Sequence, residues 1–175
     1  TAESIRLAEE AVIAIFKYLE RAYNNGSDME AREEMLKASF KAGFAFTRAG
    51  VGNVHAIAHT MGGIYGTPHG LANAVILPIV LEDYGEVVYK KLAHLAEISG
   101  VARTGSDEEK AKAFIAEIYA MNKRMGIPEG LHVEEKDIPQ MVEWALAEAN
   151  PTYPVPVLYD EARCAAVIRR INERA

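Results

Sequence analysis

Three of the five histidines in the chain fall within fifteen residues, in the stretch HAIAHTMGGIYGTPHG. His55 and His59 stand four residues apart, which places them on one face if the segment is helical. His69 follows a glycine-rich turn that can bring it back toward this pair. Imidazole suits iron, zinc, copper and nickel, and three protein ligands with an open position are typical of catalytic metal sites. The spacing therefore indicates a metal site, with packed or solvated histidines as the alternative.

No other reactive side chains are clustered in the sequence in this way. His94 and His132 stand alone in the sequence and are predicted to be structural or surface residues. Cys164 is the only cysteine, so no disulfide framework is expected, and its place in a periodic C-terminal segment predicts a buried residue rather than a nucleophile. The motif HAIAH lacks the glutamate of the HExxH zinc proteases, and GVGNVH lacks the third glycine of a dinucleotide fingerprint.

Composition and charge argue against two classes of partner. The formal net charge of −6, with no basic stripe, is unlike that of a general nucleic-acid binder. The longest apolar run, LANAVILPIVL, is too short to span a bilayer and contains a proline. No signal peptide is recognisable and the single cysteine favours a reducing compartment, so the protein is predicted to be cytoplasmic.

Periodic apolar residues predict helices along the whole chain. They recur every three or four positions from Ile5 to Ala22, and again with mostly small side chains from Ala31 to Ala49. A third helix is predicted to carry the first two clustered histidines, a fourth begins at about His69, and further helices cover about 86–99, 107–125, 138–149 and 160–173. The segment TYPVPVL contains two prolines and is predicted to be an extended loop. The sequence therefore predicts an all-α bundle of seven or eight helices, forming one domain over 1–175.

Polar residues at the predicted helix starts suggest specific caps. Ser27 and Glu30 are predicted to form a capping box for the second helix, and Ser106 and Glu109 one for the helix that begins near residue 107. Asn53 is predicted to cap the third helix through its side chain.

The stretch AGVGNVHAIAHTMGGIYGTPHGLANAVILP, residues 49–78, resembles the signature of the iron-containing (group III) alcohol dehydrogenases. The shared features are an HxxxH pair, a third histidine ten residues later in a PHG turn, and the ANA and LP motifs. Similarity extends from the first helices to ANPTYPVP near the end. The resemblance implies the helical C-terminal domain of a dehydroquinate synthase-like fold, which in the family follows a nucleotide-binding α/β domain.

The resemblance also implies roles for individual residues. His55 and His69 correspond to metal ligands of the family. His59 corresponds to a residue beside the nicotinamide and the substrate that relays protons, and Phe46 to an aromatic wall of the substrate channel. The implied cofactors are a divalent metal, Fe²⁺ or alternatively Zn²⁺, and NAD or NADP. The implied substrates are a small alcohol and the corresponding aldehyde or ketone.

The chain departs from the family pattern in one large respect. The family completes its metal site with an aspartate and a histidine from a DxxxH segment, and no such segment precedes His55 here. The nucleotide-binding domain is also missing, so we expect the chain alone to be inactive and its uncovered cleft to favour homo-oligomers. Two alternatives remain: a stand-alone tri-histidine metal hydrolase or hydratase, and a non-enzymatic helical interaction module.

Overall fold

The computed structural model describes residues 1–175, and helices are its only regular secondary structure. A short 3-10 helix, Glu135–Asp137, precedes the seventh of eight α-helices, which confirms the predicted all-α class and helix number. The helices are α1 (Ala2–Asn24), α2 (Met29–Ala49), α3 (Asn53–Tyr65), α4 (His69–Tyr84), α5 (Glu86–Ser99), α6 (Asp107–Arg124), α7 (Ile138–Ala149) and α8 (Glu161–Glu173). None of them is both long enough and apolar enough to cross a membrane.

Two predicted helix caps are wrong. Helix α2 is capped by Asp28 rather than Ser27, because the Asp28 carboxylate accepts a hydrogen bond from the backbone N–H of Ala31 at 3.0 Å. Asn53 is the first residue of α3, and its carboxamide makes no cap. It is buried, and its Nδ2 donates instead to the carbonyl oxygen of Val157 at 3.0 Å.

The chain divides into two compact units, and the first comprises residues 1–50 and 89–117. Helix α1 packs along α2 in this unit, and the rings of Phe16 and Phe114 stack with their centroids 5.0 Å apart. The predicted capping box is confirmed, since the Glu109 N–H donates to Ser106 Oγ at 3.2 Å and the Ser106 N–H donates to Glu109 Oε2 at 2.7 Å. Most of the buried apolar residues are alanines: Ala11, Ala31, Ala38, Ala45, Ala93, Ala96 and Ala111.

The second unit comprises residues 51–88 and 118–175. In it α3 packs against α4 and α7, and α8 packs against α4 and α7. All the largest fully buried side chains of the protein lie here: Ile57, Met61, Val75, Ile76, Pro78, Ile79, Val80, Val133, Met141, Val167, Ile168 and Ile171. Pro78 lies inside α4, which continues past it to Tyr84. This core supports the two helices that carry the clustered histidines.

Candidate functional site

The three clustered histidines meet at one edge of the second unit. His55 and His59 project from α3, which ends at Gly66 in a left-handed conformation (φ 66°) that favours glycine. The chain then reverses, and α4 begins at His69. The ring centroids of His55 and His69 are 5.4 Å apart, those of His59 and His69 5.2 Å, and those of His55 and His59 6.0 Å. The structure therefore brings together the three rings that the spacing singled out.

The centroid separations of His55–His69, 5.4 Å, and of His59–His69, 5.2 Å, both suit two imidazole ligands of one metal ion. Metal–nitrogen bonds of about 2.0–2.1 Å in a tetrahedral arrangement place two coordinated imidazole centroids roughly 5 Å apart. Burial lowers the pKa of His55, and the neighbouring rings of His69 and His59 lower it further. A lowered pKa favours the neutral imidazole, which is the form that binds metal. No three His, Cys, Asp or Glu side chains of the chain are arranged to hold a metal ion, and His55 and His69 are a pair rather than a complete ligand set.

His59 is held differently from its two neighbours. Its Nδ1 lies 2.7 Å from Oε1 of Glu148 on α7. The hydroxyl of Tyr153 donates to the same oxygen at 2.5 Å. This hydrogen bond to Glu148 is the main reason that the pKa of Tyr153 is raised to about 12, so the phenol remains a donor at neutral pH. Sequence reasoning missed both residues, because they lie about 90 positions from His59 and no local spacing connects them.

An aromatic side chain lies on the α7 side of the cluster. Trp144, the only tryptophan of the protein, lies one helical turn before Glu148 and is partly exposed. A Cβ atom added to Gly63, one turn after His59 on α3, would lie 3.8 Å from its ring. The glycine thus allows the indole to approach the backbone of the helix that carries two of the histidines.

Comparison with known proteins identifies the family. Residues 4–171 match the model of the Fe-containing alcohol dehydrogenase family, C-terminal. The chain belongs to this family. Among its relatives is 1,3-propanediol dehydrogenase from Klebsiella pneumoniae, with 40% identity over 167 residues that cover 93% of this chain and 43% of the relative. Another is NAD-dependent methanol dehydrogenase from Bacillus methanolicus, 37% identical over 82% of this chain and 40% of the relative.

Solved structures give the same result for this member of the iron-containing alcohol dehydrogenases. A crystal structure of 1,3-propanediol oxidoreductase superposes with a TM-score of 0.91 and 39% identity, covering 96% of this chain and 45% of that one. The alcohol dehydrogenase from Oenococcus oeni superposes with a TM-score of 0.88 and 29% identity over 95% of this chain and 44% of that one. The chain thus spans less than half the length of the relatives it matches.

Phe46, the predicted wall of the family's substrate channel, lies in the first unit. It is half exposed and lines an apolar groove of about 360 Å³ between α1 and α2, together with Ile5, Ala8 and Ala42. An exposed aromatic ring in an apolar groove is suited to contact a substrate carbon chain. Its substrate role stays a prediction.

The other reactive residues lie where the sequence predicted. His94 and His132 are exposed, and their Nε2 atoms pair with Glu9 at 2.8 Å and Glu134 at 3.1 Å. Cys164 is buried on α8, and burial raises the pKa of its thiol to about 12. A thiol with so high a pKa is a poor nucleophile at neutral pH, in agreement with the predicted buried residue.

Proposed function

We propose that residues 1–175 form the metal-binding helical domain of an NAD(P)-dependent alcohol dehydrogenase, which interconverts an alcohol and an aldehyde or ketone by hydride transfer. The observation that carries the proposal is the imidazole cluster of His55, His59 and His69 in a chain of the iron-containing alcohol dehydrogenase family. The names of two relatives, 1,3-propanediol dehydrogenase and NAD-dependent methanol dehydrogenase, point to a small alcohol as substrate.

His55 and His69 are the residues that would hold the metal. Their 5.4 Å centroid separation and the lowered pKa of His55 suit two neutral imidazole ligands. A bound divalent ion, Fe²⁺ or Zn²⁺, would supply a Lewis acid for the substrate oxygen. Two imidazoles alone leave the ligand set short of the usual three or four protein ligands, and we assign the remainder to an aspartate and a histidine outside this chain.

His59 acts on the proton rather than on the metal. Its Nδ1 is engaged by Glu148, while its ring stacks on His69 at an interplanar angle of 21°. A histidine in this place can accept the hydroxyl proton of an alcohol and return it in the reverse reaction. Because its side chain is 44% exposed, it can also exchange that proton with solvent. As the resemblance to the family implies, Phe46 would contact the substrate in the complete enzyme.

Binding of Co²⁺, a spectroscopically visible substitute for Fe²⁺ and Zn²⁺, tests the metal site directly. We expect the chain to bind Co²⁺ weakly, with visible absorption of a nitrogen-ligated ion and quenching of Trp144 fluorescence. His55→Ala and His69→Ala should each weaken binding by at least the roughly 10- to 100-fold that loss of an outer-shell partner costs in metal sites. His94→Ala is the matched control, because His94 is an exposed histidine paired with a glutamate in the other unit.

The outcomes separate the proposal from its alternatives. A tri-histidine hydrolase or hydratase requires His59→Ala to abolish Co²⁺ binding as completely as His55→Ala does, whereas we expect a smaller loss. An interaction module without a metal requires no binding, or binding that His94→Ala weakens equally. The chain alone should show no NAD(P)-linked turnover of alcohols, since the nucleotide-binding part and two ligands lie outside it.

A further inference from the structure

His59 is the only member of the histidine cluster with a carboxylate partner. His55 has no hydrogen-bonded carboxylate, and the ring nitrogens of His69 lie 3.2 and 3.4 Å from Nδ2 of Asn73. Glu148, by contrast, is 2.7 Å from His59 Nδ1. The side chains of the pair are 44% and 32% exposed, so water competes for this contact unless something else holds the glutamate in place.

Tyr153 holds the glutamate. Its hydroxyl donates to the same Oε1 that faces His59, at 2.5 Å. The loop that carries Tyr153 is attached at two points. The backbone N–H of Tyr153 donates to the carbonyl oxygen of Ala149 at 2.8 Å, and the carbonyl oxygen of Val157 accepts from the buried Asn53 at 3.0 Å. Asn53 is also the first residue of α3, so this hydrogen bond connects the loop to the helix of His59.

This arrangement selects one form of the imidazole ring. An ionised carboxylate accepts hydrogen bonds and donates none, so Nδ1 of His59 must carry the hydrogen that points at Glu148. In a neutral ring the other nitrogen, Nε2, then keeps its lone pair. Without such a partner the two neutral forms interconvert freely, and a general base would present the wrong nitrogen for part of the time.

We propose that Glu148 and Tyr153 are positioning residues that hold His59 with its hydrogen on Nδ1 and its Nε2 lone pair available to the substrate proton. The inference rests on the proposed function for its catalytic meaning, but the positioning itself is a property of this chain. Glu148 and Tyr153 do not contact the reacting atoms; they act through His59, as outer partners do when they fix the orientation and tautomer of a histidine.

The tautomer of each histidine can be read from long-range ¹H–¹⁵N correlations of the ¹⁵N-labelled, metal-free chain. The spectra are recorded at a pH above which the ring signals no longer change, so that the neutral rings are observed. Single His→Gln variants assign the five rings. We expect His59 to be protonated at Nδ1 in the unaltered chain and largely at Nε2 in Glu148→Ala. Glu148→Gln should restore the Nδ1 form, because the amide oxygen can still accept from the ring and from Tyr153.

Matched controls separate positioning from general loosening of the fold. Glu9→Ala removes the carboxylate partner of His94, which pairs through Nε2 at 2.8 Å in the first unit; it should shift the His94 signals and leave those of His59 unchanged. Tyr153→Phe should keep the Nδ1 form of His59 but move its Nδ1 proton signal, because Glu148 then accepts from His59 without the phenol.

Three results would overturn the proposal. The first is a His59 ring that carries its hydrogen on Nε2 in the unaltered chain, a measurement that needs no variant to fold. The second is an unchanged tautomer in a folded Glu148→Ala chain, and the third is a Tyr153→Phe chain with an unmoved His59 signal. No metal or cofactor is present in these measurements. They can therefore contradict the positioning of His59 while Co²⁺ binding supports the metal site, and the reverse also holds.

Discussion

The two units of the protein bury different kinds of side chain. The second unit contains all the largest fully buried residues, most of them branched or long apolar side chains such as Ile57, Ile76 and Ile168. The first unit buries mainly alanine, and it carries most of the exposed large apolar side chains: Ile5, Ile13, Tyr23, Met29, Leu36, Phe40, Phe44 and Phe46. The histidine cluster lies on the unit with the larger buried side chains.

This difference has a physical consequence for the site. Densely packed branched side chains have few alternative rotamers, so they hold the backbone that carries a site in place. Alanine-rich contacts allow helices to approach closely, but each buries little apolar area. Two histidines pair with a glutamate of another helix, His59 with Glu148 in the second unit and His94 with Glu9 in the first. Only the first pair lies beside other imidazoles, and these neighbouring rings distinguish the candidate site from a surface ion pair.

The largest effect expected from this contrast comes from shortening a core isoleucine of the second unit. Ile76 is fully buried on α4, the helix that begins at His69. Ile76→Ala should lower the free energy of unfolding by about 2–5 kcal/mol, because it leaves a cavity in a packed core. Urea denaturation followed by circular dichroism measures this loss.

The matched control is Ile5→Ala in the first unit. Ile5 is 60% exposed on α1, so the same change should alter the free energy of unfolding by no more than about 0.5 kcal/mol. Equal losses in the two variants would show that the unit without large buried side chains depends just as strongly on its isoleucines, and the contrast between the units would be wrong.

Local signals in the sequence were sufficient for the helices and for the cluster of histidines. The three- and four-residue spacing of apolar side chains is a property of each segment, and His55 and His59 share a face because of that spacing alone. His69 needed only a short turn, which Gly66 provides in its left-handed conformation. These features involve neighbours along the chain, so periodicity and turn chemistry predicted them.

Features decided by side-chain contacts outside the local pattern were missed. Ser27 and Asp28 are adjacent and both are good N-cap residues, so the local sequence does not choose between them. Asp28 also accepts two hydrogen bonds from the Arg21 guanidinium, at 3.0 and 3.2 Å, which favours it as the cap. Glu148 reaches His59 only because α7 packs against α3, and the local sequence of neither helix predicts that packing.

The second-largest expected effect on stability concerns a glycine of the second unit whose backbone lies close to the backbone at the C-terminal end of α8. A Cβ atom on Gly130 would lie 2.3 Å from both the Arg174 carbonyl carbon and the Ala175 nitrogen, and 2.4 Å from the Ile171 oxygen. The neighbouring Leu131 N–H donates to that same oxygen at 3.2 Å, which keeps the two segments together. Gly130→Ala should therefore lower the free energy of unfolding by about 1–3 kcal/mol, the usual cost of overpacking.

Gly26 in the first unit provides the matched control for this glycine. It lies in the turn between α1 and α2, has no atom within 4 Å of an added Cβ, and does not adopt a positive φ. Gly26→Ala should leave the thermal midpoint nearly unchanged, while Gly130→Ala lowers it. If both variants have the same thermal midpoint as the unaltered chain, the C-terminal end of α8 moves to accommodate the new methyl group. Close packing then does not extend to that edge of the second unit.

The smallest effect is a gain of stability in the first unit. Gly43 lies in the interior of α2, a Cβ atom there would meet nothing within 4 Å, and its φ is not positive. Glycine in a helix interior is less favourable than alanine by roughly 0.5–1 kcal/mol, because the more flexible unfolded chain loses more entropy on folding. Gly43→Ala should raise the free energy of unfolding by that amount in urea denaturation without changing Co²⁺ binding in the second unit. A loss of stability instead would mean that the open side of α2 is packed in solution, and that the first unit is less exposed than its alanine-rich contacts indicate.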